Sequence, residues 1–151
     1  MNGTAHAIMG ACIGSLAIQS IQPDVQETAM IMCVSVVGAL APDIENVHSI
    51  IGRRFPITAR ILNFLFGHRG ALHTPAFLQV LWCLLYRFRF SWLFCSGYAG
   101  HLLQDLFTAG GIPLFFPFSS KKVSLSPFRT GGIFDYVITF LLISLIYQLA
   151  G

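Results

Sequence analysis

The chain has 151 residues, of which 55% are hydrophobic and only 10% are charged, and its net charge is +3. Soluble domains carry about 25% charged residues, so this composition excludes an ordinary soluble domain and predicts an integral membrane protein. The length suits a single membrane-embedded domain over residues 1–151. The small net charge, with no basic tail, gives nucleic-acid binding little support, and no nucleic-acid partner is expected.

Five apolar stretches predict an all-α, polytopic membrane bundle of about five short transmembrane helices. We expect these helices over residues 5–21, 27–41, 75–86, 91–108 and 133–150. Thr4 is the expected N-cap of the first helix, and Thr74 is the expected N-cap of the third. Pro42 is expected to end the second helix, because proline cannot continue a helix. All five stretches are shorter than the about 20 residues that usually cross a bilayer.

Two longer connections lie between these stretches. Residues 57–66 place apolar side chains at helical spacing, which predicts an amphipathic helix on the membrane surface. Residues 112–118 are also apolar, but Pro113 and Pro117 interrupt them. We therefore expect a loop held against the membrane there, rather than a helix.

The distribution of basic residues predicts the orientation in the membrane. The two long connections, residues 42–74 and 109–132, together carry seven Lys or Arg residues, whereas the short connections carry two. Lys and Arg collect on the cytoplasmic side of membrane proteins. The long connections and the N-terminus are therefore expected in the cytoplasm, with Lys121 and Lys122 as lipid-headgroup anchors.

Ionisable residues gather at the predicted cytoplasmic ends of the spans, where they are costly and are usually kept for a function. His101 and Asp105 are four residues apart and therefore share one helix face. Imidazole and carboxylate together suit zinc, manganese or iron. The residues predicted to hold one or two such ions are His6, Asp43, His68, His73, His101 and Asp105.

Other residues of the same regions have predicted roles beside the metal. Arg69 is expected to bind an anion, because a guanidinium matches the geometry of phosphate; the alternatives are a membrane anchor or a simple pair with Asp105. Glu45 and Asp135 are the candidates for proton transfer. His48 is expected to be a surface residue.

Four sequence elements and one acidic residue carry a resemblance to a known family. They are TAH at residues 4–6, APDIEN at 41–46, HRGALHT at 68–74, GHLLQDLFTAGG at 100–111, and Asp135. In this arrangement the chain resembles the bacterial membrane-bound, predicted metal-dependent hydrolases of the YdjM type. It departs from the family pattern at Glu45, Asn46 and Leu72, where the family has Asp, His and Thr. The resemblance implies a bacterial inner-membrane location and a hydrolase activity without a defined substrate.

The predicted function is a membrane-bound, metal-dependent hydrolase that acts on an ester or phosphoester at the cytoplasmic membrane face. A phospholipid or another amphiphile is the expected substrate, because the site is predicted at headgroup depth. The alternative is a non-enzymatic membrane protein whose metal serves structure, sensing or transport. A transporter is expected to carry polar groups through the middle of the membrane, whereas these spans are mainly apolar there.

Overall fold

The computed structural model describes residues 1–67, 69–127, 129 and 131–150. Within these residues the fold is all-α, with six α-helices and two short 3-10 helices. The α-helices are α1 (Gly3–Ile21), α2 (Val25–Leu40), α3 (Pro56–Phe66), α4 (Pro75–Leu85), α5 (Ser91–Leu106) and α6 (Ile133–Ala150). The 3-10 helices are Ala41–Glu45, after α2, and Ala71–His73, before α4.

Helices are present at all five predicted apolar stretches and at the predicted amphipathic segment, which forms α3. The predicted cap of the third stretch is confirmed, because the Thr74 side chain accepts a hydrogen bond from the Phe77 amide. The predicted cap of the first stretch is wrong. Asn2 caps α1 by accepting from the Ala5 amide at 2.8 Å, so Thr4 lies inside the first turn. Asparagine and threonine are both good caps, and the sequence pattern did not separate them.

The end of α2 also differs from the expectation. Pro42 was expected to end the helix, with Asp43 and Glu45 in the long connection that follows it. The α-helix does end at Leu40, but residues Ala41–Glu45 continue as a 3-10 helix with Pro42 in its first turn. Proline is tolerated there because a first-turn amide needs no partner within the helix. This regular turn fixes the direction of both carboxylates.

Two stretches of the described chain are long and apolar enough to cross a membrane, judged by length and composition: Gly3–Ile21 and Val25–Glu45. The stretches Pro56–Phe66, Pro75–Leu85 and Ile133–Gln148 are apolar but shorter. The 11 residues of α4 extend only about 16 Å at the usual helical rise. A bilayer core is about 30 Å thick.

Helices α1, α2 and α5 pack against one another, while α4 packs on α5 and α6 packs mainly on α1. Glycines allow the close approach of α2 to α5. A Cβ atom at Gly38 would collide with the Phe94 carbonyl, and one at Gly97 would collide with the Ser35 carbonyl. Small residues permit such close helix packing in membrane proteins. This packing brings the start of α1, the end of α2 and the end of α5 together.

The segment after α5 is a loop, as predicted for residues 112–118. It closes on itself through an antiparallel bridge between Ile112 and Val123. The amide of each of these residues donates to the carbonyl of the other, at 3.0 and 2.8 Å. Ile112 is buried while Phe118 is almost fully exposed, so the loop packs by one side and presents the other outward.

Candidate metal centre

Four elements bring their ionisable side chains to one end of the bundle. His6 lies in the first turns of α1, and His101 and Asp105 lie on the last turns of α5. Asp43 and Glu45 come from the 3-10 helix after α2, and His73 ends the 3-10 helix before α4. Five of the six predicted metal ligands therefore meet in one cluster: His6, Asp43, His73, His101 and Asp105. The sixth, His68, lies outside the described residues.

One atom each from His73, His101, Asp43 and Asp105 lies close to the others' imidazole nitrogens. His73 Nε2 and His101 Nε2 are 3.3 Å apart. Asp43 Oδ1 lies 3.6 Å from His73 Nε2 and 4.0 Å from His101 Nε2. Asp105 Oδ2 lies 3.8 Å and 3.7 Å from the same two nitrogens. Zinc bonds of about 2.0–2.2 Å at tetrahedral angles separate the ligand atoms by about 3.3–3.6 Å. A contraction of a few tenths of an ångström would bring these five separations into that range.

The histidine protons are directed away from the centre of the cluster. His101 Nδ1 lies 2.7 Å from the Ala39 carbonyl oxygen, which can only accept a hydrogen bond. Nδ1 therefore carries the proton, and the lone pair of Nε2 faces the cluster. His73 Nδ1 likewise faces the Glu45 carboxylate at 3.5 Å. Histidines that bind metals usually donate their second N–H to such an acceptor, which fixes the tautomer.

Gln104 orients the third histidine and was not identified from the sequence. It is fully buried, and its Nε2 donates to the Ala5 carbonyl at 3.1 Å and to Thr139 Oγ1 at 2.8 Å. Its Oε1 is therefore the atom that faces His6 Nδ1, at 2.8 Å, so His6 Nε2 is left unprotonated toward Asp105. Gln104 is three residues from His101 on α5, and this spacing was the available signal.

Metal fit can be tested on the buried polar atoms. His6 Nε2 and Asp105 Oδ2 are buried and have no hydrogen-bond partner among the described residues. Unpaired buried acceptors are costly and call for an explanation such as an ion. The described cluster offers nitrogen and oxygen donors, a set that suits zinc, manganese or iron. The residues therefore fit a divalent metal, although the structure contains no ion.

His6 extends the cluster beyond four ligands. Its ring stacks on that of His101 with 3.6 Å between the centroids, and its Nε2 lies 3.6 Å from Asp105 Oδ1. Two groups that share His101 could hold an ion: one contains His6 and Asp43, and the other contains His73 and Asp105. His6 therefore adds a further nitrogen beside the other four residues of the cluster.

Arg69 is fixed at the edge of the cluster. Its guanidinium donates from Nη2 to Asp105 Oδ1 at 2.9 Å and reaches Thr108 Oγ1 with Nη1 at 3.5 Å. Its backbone amide donates to Glu45 Oε1. Its φ of +51° is uncommon for a residue other than glycine and occurs often at functional sites. A Cβ atom at Gly110 would collide with the guanidinium, so the glycine leaves room for it.

The remaining predicted residues occupy different places. Asp135 is buried, and its carboxylate accepts hydrogen bonds from the amides of Asn2 at 2.9 Å and Gly131 at 3.0 Å. It therefore holds the N-terminal segment. His48 is exposed, as predicted. The Met1 amino group, which the prediction did not include, contacts Asp105 Oδ1.

Access to the cluster is limited but present. The side chains of His6, His73, His101 and Asp105 are fully buried, whereas those of Asp43 and Arg69 are each 13% exposed. A cleft of about 670 Å³ begins at Glu45 and runs along Asn63 and Phe64 of α3. A second, smaller groove begins at Arg69. The neighbouring residues Glu45 and Arg69 thus separate the cluster from two surface depressions.

The described residues thus combine an all-α fold, two apolar helices long enough to cross a membrane, and a buried His/Asp cluster that is a candidate metal centre. The chain belongs to the YdjM inner membrane protein family, whose model matches residues 1–150. This confirms the family resemblance that the sequence motifs carried. No solved structure matches the chain significantly.

Individual relatives support the same family. The uncharacterized protein YvsG of Bacillus subtilis strain 168 is 31% identical over 141 residues, which cover 89% of this chain and 84% of that protein. The inner membrane protein YdjM of Escherichia coli strain K12, like that of Shigella flexneri, is 30% identical over 95 residues. That match covers 55% of this chain and 47% of each relative, so about half of each YdjM protein is compared.

Proposed function

We propose that this protein is a metal-dependent hydrolase of the inner membrane that cleaves an ester or phosphoester of a lipid or another amphiphile. The observation that carries the proposal is the inward direction of three imidazole Nε2 atoms toward two carboxylates, with nitrogen–oxygen separations of 3.6–4.0 Å. A purely structural ion pair network has no need for several lone pairs aimed at one point, whereas a divalent ion does.

The residues divide into three roles under this proposal. His73, His101, Asp43 and Asp105 hold the ion, and His6 adds a fifth ligand or serves a second ion. A divalent ion supplies a Lewis acid for water and for a phosphoester oxygen. Glu45 accepts the proton of the attacking water, because it adjoins both His73 and the larger cleft. Arg69 donates hydrogen bonds to the anionic oxygen of the substrate.

We place the cluster on the cytoplasmic face of a multi-pass protein whose N-terminus is cytoplasmic. Seven basic residues in the two long connections against two in the short ones support this orientation. A reporter enzyme that works only outside the cytoplasm should be active when it is fused within residues 22–26, because this arrangement makes that connection periplasmic. If only a reporter that works in the cytoplasm is active at this position, the arrangement is reversed.

Burial gives a second candidate function some support. The four fully buried side chains of the cluster would also suit a metal ion that holds the helices together without catalysis. Under this alternative the ion contributes to folding and Arg69 only balances the charge of Asp105. The same protein would then bind its metal, but it would hydrolyse no ester.

One pair of measurements separates the two candidates. Elemental analysis of the detergent-purified protein should find at least one divalent transition-metal ion per chain. The Arg69→Lys variant keeps the charge but loses the bidentate fork, so it should fold and retain metal, yet lose most phosphoester hydrolysis. If the purified protein contains no such metal ion, the proposed metal site is wrong. A metal-loaded parent protein without hydrolysis in an ester and phosphoester screen would favour the structural role.

A further inference from the structure

A groove of about 320 Å³ adjoins the candidate metal centre on the Arg69 side. Arg69 belongs to both, because its guanidinium bonds Asp105 of the cluster at 2.9 Å and also lines the groove. The opposite wall comes from the loop after α5 and includes Lys122. A molecule in this groove would therefore place one end beside the candidate metal ligands.

The charged residues among the described lining of the groove are Arg69 and Lys122, and both are cations. A guanidinium offers N–H donors in a fixed fork, and an ammonium adds a mobile point charge. Together they match a phosphate group, whose oxygens accept several charge-assisted hydrogen bonds. Arg69 has five side-chain N–H donors, and its contacts with Asp105 and Thr108 start from different terminal nitrogens.

The outer part of the same groove is apolar. Its walls include Leu65 and Phe66 from the last turn of α3 and Phe116 from the facing loop. Leu65 is 62% exposed, and Phe118, two residues after Phe116, is 95% exposed. Large exposed apolar side chains in and beside a groove mark a surface that contacts another apolar phase. In an inner membrane protein that phase is the acyl region of the bilayer.

We infer that this groove binds an anionic membrane lipid with its phosphate between Arg69 and Lys122 and its acyl chain over Phe66 and Phe116. The inference rests on the proposed function, since it assigns the substrate class of the same site. The cationic and the apolar residues that line this one groove match the two ends of such a lipid. The lipid would thus enter from the leaflet, and its phosphate would arrive beside Asp105.

The binding test uses the purified protein with its metal retained and non-hydrolysable ether-linked phosphonate analogues of the two lipids named below, so that no turnover consumes them. The protein is placed in mixed micelles that hold equal amounts of phosphatidic acid and phosphatidylcholine with the same acyl chains. Native mass spectrometry then counts the lipid retained by each chain. Phosphatidic acid should be retained preferentially, and Lys122→Gln should lower its retention about tenfold, the effect of one lost charge-assisted contact.

Lys121→Gln is the matched control, because Lys121 is the exposed neighbour of Lys122 and does not line the groove. It should leave phosphatidic acid retention unchanged. Equal losses in the two variants would show general surface attraction and overturn the inference, as would no loss in either. Glycerol phosphate provides a further arm: if it binds as tightly as phosphatidic acid, the groove takes a free phosphate and not a lipid.

Hydrolysis of p-nitrophenyl phosphate by the metal-loaded protein keeps the inference separate from the proposed function. If this soluble ester is cleaved but phosphatidic acid is not retained in the groove, the lipid assignment fails and the hydrolase proposal stands. If phosphatidic acid is retained with the expected dependence on Lys122 but no ester is cleaved, the hydrolase proposal fails while the lipid-binding groove stands.

Discussion

The two ends of the helical bundle each contain an Arg–carboxylate pair, but in opposite surroundings. At the end away from the cluster, Arg89 contacts Glu27, and the Arg89 side chain is 73% exposed. At the cluster end, Arg69 contacts Asp105, whose side chain is fully buried. Exposed pairs contribute little to stability, and buried pairs are costly to desolvate.

This comparison indicates what the buried charges are for. The Glu27–Arg89 pair faces outward and needs no further partner. Asp105 uses one oxygen for Arg69, while its other oxygen is buried with no hydrogen-bond partner among the described residues. A bundle selected only for stability would replace such a carboxylate with an apolar residue. This difference supports the proposed metal centre at the cluster end, and removing residues from each end should have different consequences.

The largest effect is expected from the ligands that α5 provides. His101→Ala and Asp105→Asn should each reduce metal affinity by more than about 100-fold, because loss of a direct ligand exceeds the cost of losing an outer partner. His48→Ala is the control, since His48 is exposed, and it should keep full metal content. Elemental analysis of the purified variants checks this. If both α5 variants keep their full metal content, the proposed metal site is wrong.

A large effect on turnover alone is expected from Glu45→Gln. Glutamine keeps an oxygen that can accept from the Arg69 amide but cannot take up a proton at neutral pH. The variant should keep its metal while kcat falls by about 10²–10⁴-fold, the usual contribution of a general base. Kinetics on a phosphoester, with metal content measured on the same sample, test this. An unchanged kcat would assign Glu45 only to positioning His73.

A moderate effect is expected from Gln104→Leu, which removes the acceptor for His6 Nδ1. Loss of such an outer partner should lower metal affinity about 10–100-fold, measured by competition with a chelator. Gln104→Glu retains an acceptor oxygen and should restore most of the affinity. Thr139→Val removes another partner of Gln104 but leaves the His6 contact, so it should bind metal normally. Equal losses in the Leu and Val variants would indicate general destabilisation.

The smallest effect is expected at the far end of the bundle. Glu27→Gln removes the exposed partner of Arg89 and should lower the free energy of unfolding by at most about 1 kcal/mol. This corresponds to a decrease in melting temperature of no more than about 4 °C, with unchanged metal content. Thermal unfolding in detergent measures the shift. A larger decrease would mean that both ends of the bundle depend on their ion pairs.

The sequence by itself determined the helical class, the approximate helix positions, the family and most of the clustered residues. Hydrophobic runs that end at prolines define helices locally. The four-residue spacing of His101 and Asp105 is enough to place both side chains on one helix face. Thr74 was recognised as a cap because its chemistry is also local. These features depend on neighbours within a few residues, which the sequence displays directly.

Only the tertiary structure decided which distant groups meet. Gln104 acts on His6 because α5 crosses α1, and Asp135 bonds the Asn2 amide because α6 packs on α1. The Ala39 carbonyl that fixes the His101 tautomer is a backbone atom with no sequence signature. Such contacts depend on helix packing, here the close approach permitted by Gly38 and Gly97. Burial and proton direction therefore follow from the three-dimensional arrangement rather than from residue spacing.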